Sequence, residues 1–174
     1  MPVVILDNIR SSYNVGSIMR TLDAVGGGEI ICVGITPYPD LGDNDDRSPV
    51  VKSANTKQIA KTALGAQDTL SVSHAATTTE TLHRLPSTTT FVALEQSNEA
   101  TNLFDYRPPS AELALILGSE TEGLPPEVLK ACDAILEIPQ YGQKESLNVS
   151  VAAGIALYHL TRRTTLSAAV SLGE

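Results

Sequence analysis

The chain has 174 residues, 42% of them hydrophobic and 18% charged, which suits one globular domain spanning residues 1–174 with a core of its own. A formal net charge of −8 argues against a general nucleic-acid binder, because phosphate attraction draws on a basic surface. No apolar run reaches the roughly 18 residues of a membrane span, and the start, MPVVILDNIR, lacks the pattern of a signal peptide, so a cytoplasmic protein without membrane association is expected.

In chain order the pattern alternates strand and helix. Val3–Leu6 is a short apolar strand. Residues 13–25 read as a helix with Val15, Ile18, Leu22 and Val25 on one face, closed by Gly26, Gly27 and Gly28. Glu29–Val33 is a second strand, followed by a long loop over 34–49 in which Asp40, Asp43, Asp45 and Asp46 crowd together. The spacing predicts helices over 53–64 and 77–85, with strands over 70–73, 90–94 and 113–117. The last of these is a continuous apolar run of the kind buried on both faces. A short helix over 125–131 carries its prolines at the first turn. A strand over 134–138 leads through Pro139 and a polar loop into a long apolar helix, for which Ser146 is the expected N-cap. That helix shows no polar face before Arg162 and Arg163, so burial on several sides is expected, by its own domain and by a second subunit. The whole reads as an α/β domain with a mainly parallel sheet flanked by helices.

Two cysteines, Cys32 and Cys132, lie far apart in apolar contexts and read as core residues of a reducing compartment. The three histidines have no ligand spacing, and no metal is expected. Arg10, Arg20, Arg47, Lys52, Lys57 and Lys61 fall in the first third, so a local basic patch is open to an acidic chain.

Three polar segments interrupt the pattern where a strand gives way to a helix, the place where open α/β sheets bind ligands. The first is DNIRSSYNVGSIMR, residues 7–20. Arg20 either points into a cleft or is a solvated helix arginine; Gly16 and Ser17 are small enough for another group to come close. The second is LGSETEGLP, residues 117–125, where a buried strand meets Gly118 and then Glu120; a plain turn with exposed acids is the alternative. The third is Ser146-Leu147-Asn148. Asn148, inside an otherwise apolar stretch, calls for a partner.

Taken together and in this order, the three segments resemble the motifs of the SpoU (TrmH) family of RNA ribose methyltransferases, within the SPOUT superfamily. Asn14, Gly16 and Arg20 match the first motif; Gly118, Glu120, Gly123 and Leu124 the second; Ile138, Pro139 and residues 146–152 the third. The resemblance covers nearly the whole chain and looks like the minimal, TrmL-like members that act on a tRNA wobble position. It implies an α/β fold with a C-terminal trefoil knot, S-adenosylmethionine (AdoMet) bound in the knot, and a homodimer whose active sites draw on both subunits. It implies methyl transfer to a ribose 2′-hydroxyl of RNA, tRNA ahead of rRNA.

The resemblance also assigns roles. Arg20 sits at the 2′-hydroxyl, either activating it or holding the adjoining phosphate and the developing oxyanion; a pKa above about 12 makes an arginine an awkward base. Asn14 and Glu120 fix Arg20 and the substrate, and Ser146 and Asn148 bridge catalytic groups and cofactor. The backbone around Leu94, Gly118, Ile138 and Leu147, with Asn148, holds AdoMet. Arg10, Arg47 and Lys144 are expected at RNA phosphates, and Tyr13, Tyr38 and Tyr141 are the available stacking platforms. Two other readings stay open: a non-catalytic AdoMet- or RNA-binding module on the same scaffold, and a methyltransferase with a small-molecule or protein acceptor. A dinucleotide-binding domain is excluded, since the triple glycine follows a helix and precedes a strand, the reverse of that fingerprint.

Overall fold

The computed structural model describes residues 2–108 and 112–170, apart from the side chains of Asn44 and of 162–170. Its strands are β1 (Val3–Asp7), β2 (Glu29–Val33), β3 (Ser71–Ala75), β4 (Thr90–Leu94), β5 (Thr101–Asn102), β6 (Leu113–Leu117) and β7 (Ala134–Glu137). They form one parallel sheet in the order β3-β2-β1-β6-β4-β7-β5. The helices are α1 (Ser12–Ala24), α2 (Pro49–Ala63), α3 (Thr78–Arg84), α4 (Pro126–Lys130) and α5 (Val149–Val170).

Strand side chains alternate between the two faces of the sheet, so each strand feeds two cores. Val4, Leu6, Ile30, Leu115 and Leu117 pack on one face with Ile18 and Leu22 of α1, Ile59 of α2 and Leu157 and Leu160 of α5. Ile5, Ile31, Ala93 and Ile116 pack on the other with Leu82 of α3 and Val128 of α4. β6 lies between β1 and β4, and its five residues are all buried, as its unbroken apolar sequence predicts.

Local chemistry moves several boundaries. α2 starts at Pro49, ahead of the expected residue 53, because Ser48 caps it through Val51 N and the proline suits the first turn. The two-residue strand β5 gives no periodic signal and was not expected. The N-cap of α5 is Asn148, not Ser146. Asn148 Oδ1 accepts from Ser150 N at 2.9 Å, and its carbonyl accepts from Ala152 N at 2.9 Å. This cap is half of the partner that a polar residue there requires.

α1 lies against both α2 and α5. A Cβ on Gly16 would overlap Thr62 and the carbonyl of Ile59, so the small residue of the first motif admits a neighbouring helix. Thr62 Oγ1 fixes that contact by donating to the Tyr13 carbonyl at 2.9 Å. In α5, Ala153, Ala156, Leu157 and Leu160 are buried, while Val151 is 50% and Tyr158 58% exposed. The expected return of polarity at Arg162 and Arg163 lies outside the described side chains. Residues from the 138–149 segment line a common cleft with the ends of β4 and β6, and α5 packs against α1.

Candidate active site

Each of the three polar segments follows a β-strand, and the sheet delivers them to one edge. After β1, Asn8 takes a left-handed conformation (φ 54°), and its Oδ1 accepts from Ile35 N at 3.2 Å. Ser11 caps α1 by accepting from Asn14 N at 3.3 Å, which sets Asn14 in the first turn. Asn14 Nδ2 donates to Glu120 Oε1 at 2.9 Å, and Asn14 Oδ1 accepts from Asn148 Nδ2 at 3.2 Å. The Arg10 backbone N–H also points at Glu120, 3.4 Å from Oε2. One residue from each motif therefore joins a single hydrogen-bonded chain, Glu120–Asn14–Asn148. These are the second half of the partners of Asn148.

Beside this chain lies a cleft of about 390 Å³, within the range of small-molecule sites. Leu94, Gly118, Ile138, Leu147 and Asn148, the expected cofactor residues, all line it, as do Glu120 and Ser146. Leu94, Leu117, Ile138, Leu147 and Ala152 supply apolar wall, and Glu95, Glu120 and Glu137 supply carboxylates, with no lysine or arginine among the lining residues. Such a cleft suits a ligand that combines apolar surface with positive charge. The second motif shapes its lip. A Cβ on Gly118 would stand 2.6 Å from the carbonyl carbon of Gly123. Only a glycine lets these two turns of chain touch.

The other expected residues lie elsewhere. Arg20 is exposed on α1 and lines a separate basin with Ser17, Thr21, Ala24, Lys61, Thr62 and Tyr158; no residue is common to this basin and the cleft. Arg10 is exposed beside the cleft, 3.7 Å from Glu122. Lys144 is exposed in the 139–148 loop. Arg47 is committed within the protein. Its Nη2 pairs with Asp45 Oδ2 at 2.6 Å and also donates to the Pro39 carbonyl, its Nη1 donates to the Tyr38 carbonyl at 3.0 Å, and its guanidinium lies 3.4 Å from the Tyr38 ring centroid. This geometry gives Arg47 a loop-anchoring role, and its hydrogen bonds to Asp45 hold that carboxyl far below the usual carboxylate range. His74 covers the second face of Tyr38 at 4.4 Å, so Tyr38 is no stacking platform, whereas Tyr141 is 91% exposed. Burial pushes the thiol of the buried Cys32 up to about 12, and partial burial pushes that of Cys132, at the edge of the core, up to about 11.

Glu95, Gln96, Glu137 and Gln140 also line the cleft and were missed by sequence reasoning. They belong to no recognisable motif. The one available signal was position: Glu95 and Gln96 directly follow a parallel strand at the sheet's ligand-binding edge.

The sequence profile of the SpoU rRNA Methylase family matches residues 47–158, and the chain belongs to that family. A Staphylococcus aureus protein described as a TrmH family tRNA/rRNA methyltransferase is 32% identical over 166 residues, covering 94% of this chain and 59% of the relative. The 23S rRNA (guanosine-2′-O-)-methyltransferase RlmB of Pasteurella multocida is 31% identical over 162 residues, covering 92% and 60%. The chain thus spans about three-fifths of the length of these relatives. The crystal structure of an AdoMet-bound rRNA methyltransferase from Sinorhizobium meliloti superposes with a TM-score of 0.75 at 27% identity, covering 93% of this chain and 56% of that one.

Proposed function

We propose that residues 1–174 form one AdoMet-dependent methyltransferase domain that methylates a ribose 2′-hydroxyl of RNA. The observation that carries this reading is the convergence of the three family motifs on one cleft: Leu94, Gly118, Ile138 and Leu147 line it, and Glu120, Asn14 and Asn148 form a hydrogen-bonded chain at its mouth. The apolar walls fit an adenine, and the carboxylates of Glu120 and Glu137 fit the sulfonium and ammonium charges of AdoMet. AdoMet, when bound, supplies an electrophilic methyl group.

In this reading the chain's own residues position the acceptor. Its oxygen must come into line with the methyl group, so orientation supplies much of the rate. Arg20 holds the phosphate next to the reacting ribose and stabilises the negative charge that develops on the 2′-oxygen as it attacks the methyl carbon, S-adenosylhomocysteine departs and the hydroxyl proton passes to bulk water. Asn14 and Glu120 orient the substrate, and Ser146 and Asn148 link that group to the cofactor cleft. Arg10 and Lys144 contact flanking phosphates. Because the Arg20 basin shares no residue with the cleft, we assign a complete site to two chains, with Arg20 presented by one and the cleft by the other. The exposed Val151 and Tyr158 on α5 support a homodimer of that kind.

The test is methyl transfer from labelled AdoMet to total RNA from a strain lacking the protein, fractionated into tRNA and rRNA. Label recovered as a 2′-O-methylnucleoside in one fraction establishes both reaction and acceptor. AdoMet binding without label in either fraction moves the reading to a binding module or a non-RNA acceptor. Arg20→Ala is expected to bind AdoMet normally and lose transfer; full activity in that variant removes Arg20 from the mechanism. Arg20→Lys should also fail where bidentate geometry holds the phosphate.

A further inference from the structure

Three stretches of chain line the cleft: the end of β4 with Glu95 and Gln96, residues 117–120 where the 118–124 turn begins, and residues of the segment over 137–149. The second lies in, and the third contains, one of the polar segments picked out in the sequence. What holds them at a fixed separation is the dipeptide that follows β4. Glu95 continues the β4–β7 ladder through its own N–H, which donates to the Leu136 carbonyl at 2.9 Å. Its side chain then turns to the other wall. Glu95 Oε2 accepts from Leu124 N at 3.0 Å, and Oε1 accepts from Gln96 N at 3.1 Å, which fixes the tilt of the carboxylate. Hydrogen bonds to a charged acceptor are stronger than neutral ones. Gly123 makes room for this contact. It has φ +68°, and a Cβ there would lie 2.6 Å from Glu95 Oε2. Gln96 reaches in the opposite direction, and its Nε2 donates to the Glu145 carbonyl at 2.6 Å, in the loop that leads to Ser146.

We propose that Glu95 and Gln96 are positioning residues for the cofactor cleft, Glu95 fixing the 118–124 wall and Gln96 the 139–148 wall. The inference rests on the reading that this cleft binds AdoMet. Both carboxylate oxygens of Glu95 are taken by backbone N–H groups, so it acts through the wall it holds. The same contact gives the second glycine of the Gly-x-Glu-x-x-Gly motif a physical purpose, as the seat of the Glu95 carboxylate.

The experiment measures AdoMet affinity by calorimetry and the exchange rate of the Leu124 amide hydrogen in the ligand-free protein, for wild type, Glu95→Ala, Glu95→Gln and Gln96→Glu. Glu95→Ala is expected to weaken AdoMet by about tenfold, the size of one lost charge-assisted hydrogen bond, and to speed Leu124 exchange. Glu95→Gln keeps one acceptor oxygen and should recover part of both. Gln96→Glu keeps the shape but removes the donor to Glu145; it should weaken AdoMet and leave Leu124 protected. At saturating AdoMet the turnover of each variant should stay near wild type, the effect falling on KM. Unchanged affinity together with unchanged Leu124 exchange in Glu95→Ala overturns the proposal. If wild type itself fails to bind AdoMet, the functional reading falls, and Leu124 exchange still decides whether Glu95 holds its wall.

Discussion

Replacing Gly118 with alanine adds one methyl group at the most crowded point of the cleft. Its carbon would stand 2.6 Å from the Gly123 carbonyl carbon and 2.8 Å from both the Gly123 oxygen and Leu124 N. Comfortable carbon contacts begin near about 3.5 Å, so the 123–124 peptide must retreat by on the order of 1 Å. That peptide is pinned: Gly123 N donates to the Ser119 carbonyl at 3.0 Å and Leu124 N to Glu95 at 3.0 Å. Overpacking alone costs about 1–3 kcal/mol, and losing the bond to the charged acceptor adds about 1.5–3 kcal/mol. A total of about 2.5–6 kcal/mol is a large share of a typical domain's stability. With a urea m-value of about 2 kcal/mol/M, the midpoint should fall by about 1.2–3 M. AdoMet affinity should fall as well, because Gly118 lines the cleft and the displaced peptide packs directly against it. Gly142→Ala is the matched control, since a Cβ there meets nothing within 4 Å; its shift should stay within about 0.5 kcal/mol. A Gly118→Ala protein with the midpoint and affinity of its Gly142→Ala counterpart would refute the reasoning.

Asn148→Ala removes a helix cap and the link to Asn14 together. Thermal unfolding should show a loss of about 1 kcal/mol, and methyl transfer should fall far more than stability does. Arg47→Lys keeps the charge but not the fork that reaches Asp45, Tyr38 and Pro39. It should cost about 1–3 kcal/mol in a denaturation experiment and leave the salt dependence of RNA binding unchanged, whereas Arg10→Ala should flatten that dependence. The depressed pKa of Asp45 carries a pH signature. Its stabilisation is complete above the unfolded carboxyl value of about 3.9 and is lost as pH falls from there toward the lower folded value. The gap in melting temperature between wild type and Asp45→Asn should therefore hold above about pH 4 and narrow steadily as pH falls below it; a gap that stays constant down the acid range would show that the ion pair contributes nothing.

The strands β2, β4 and β6 were legible to the residue, because continuous apolar runs bounded by turn residues leave little freedom of placement. β5 was invisible, as two residues carry no period. The cap of α5 was misplaced because serine and asparagine both suit that role; a bond across the fold to Asn14 selects Asn148. Arg47 read as a surface cation because sequence shows charge and not what surrounds it. Two backbone carbonyls and the Tyr38 ring decide its role, and only the folded loop brings them together. Leu94, Gly118, Ile138, Leu147 and Asn148, which line the cleft, were singled out through the resemblance, whereas Glu95 and Gln96 carry no motif and depend on pairings with residues 29 and 49 positions away.

The hydrogen bond between Asn14 and Asn148 spans 134 positions of chain, and Gln96 waits for Glu145. During synthesis the N-terminal partner emerges first and remains unmatched until nearly the whole domain has left the ribosome. Contacts so far apart in sequence form late. A half-made chain therefore presents two walls of the cleft without the third, and ligand capture becomes a report that folding has finished.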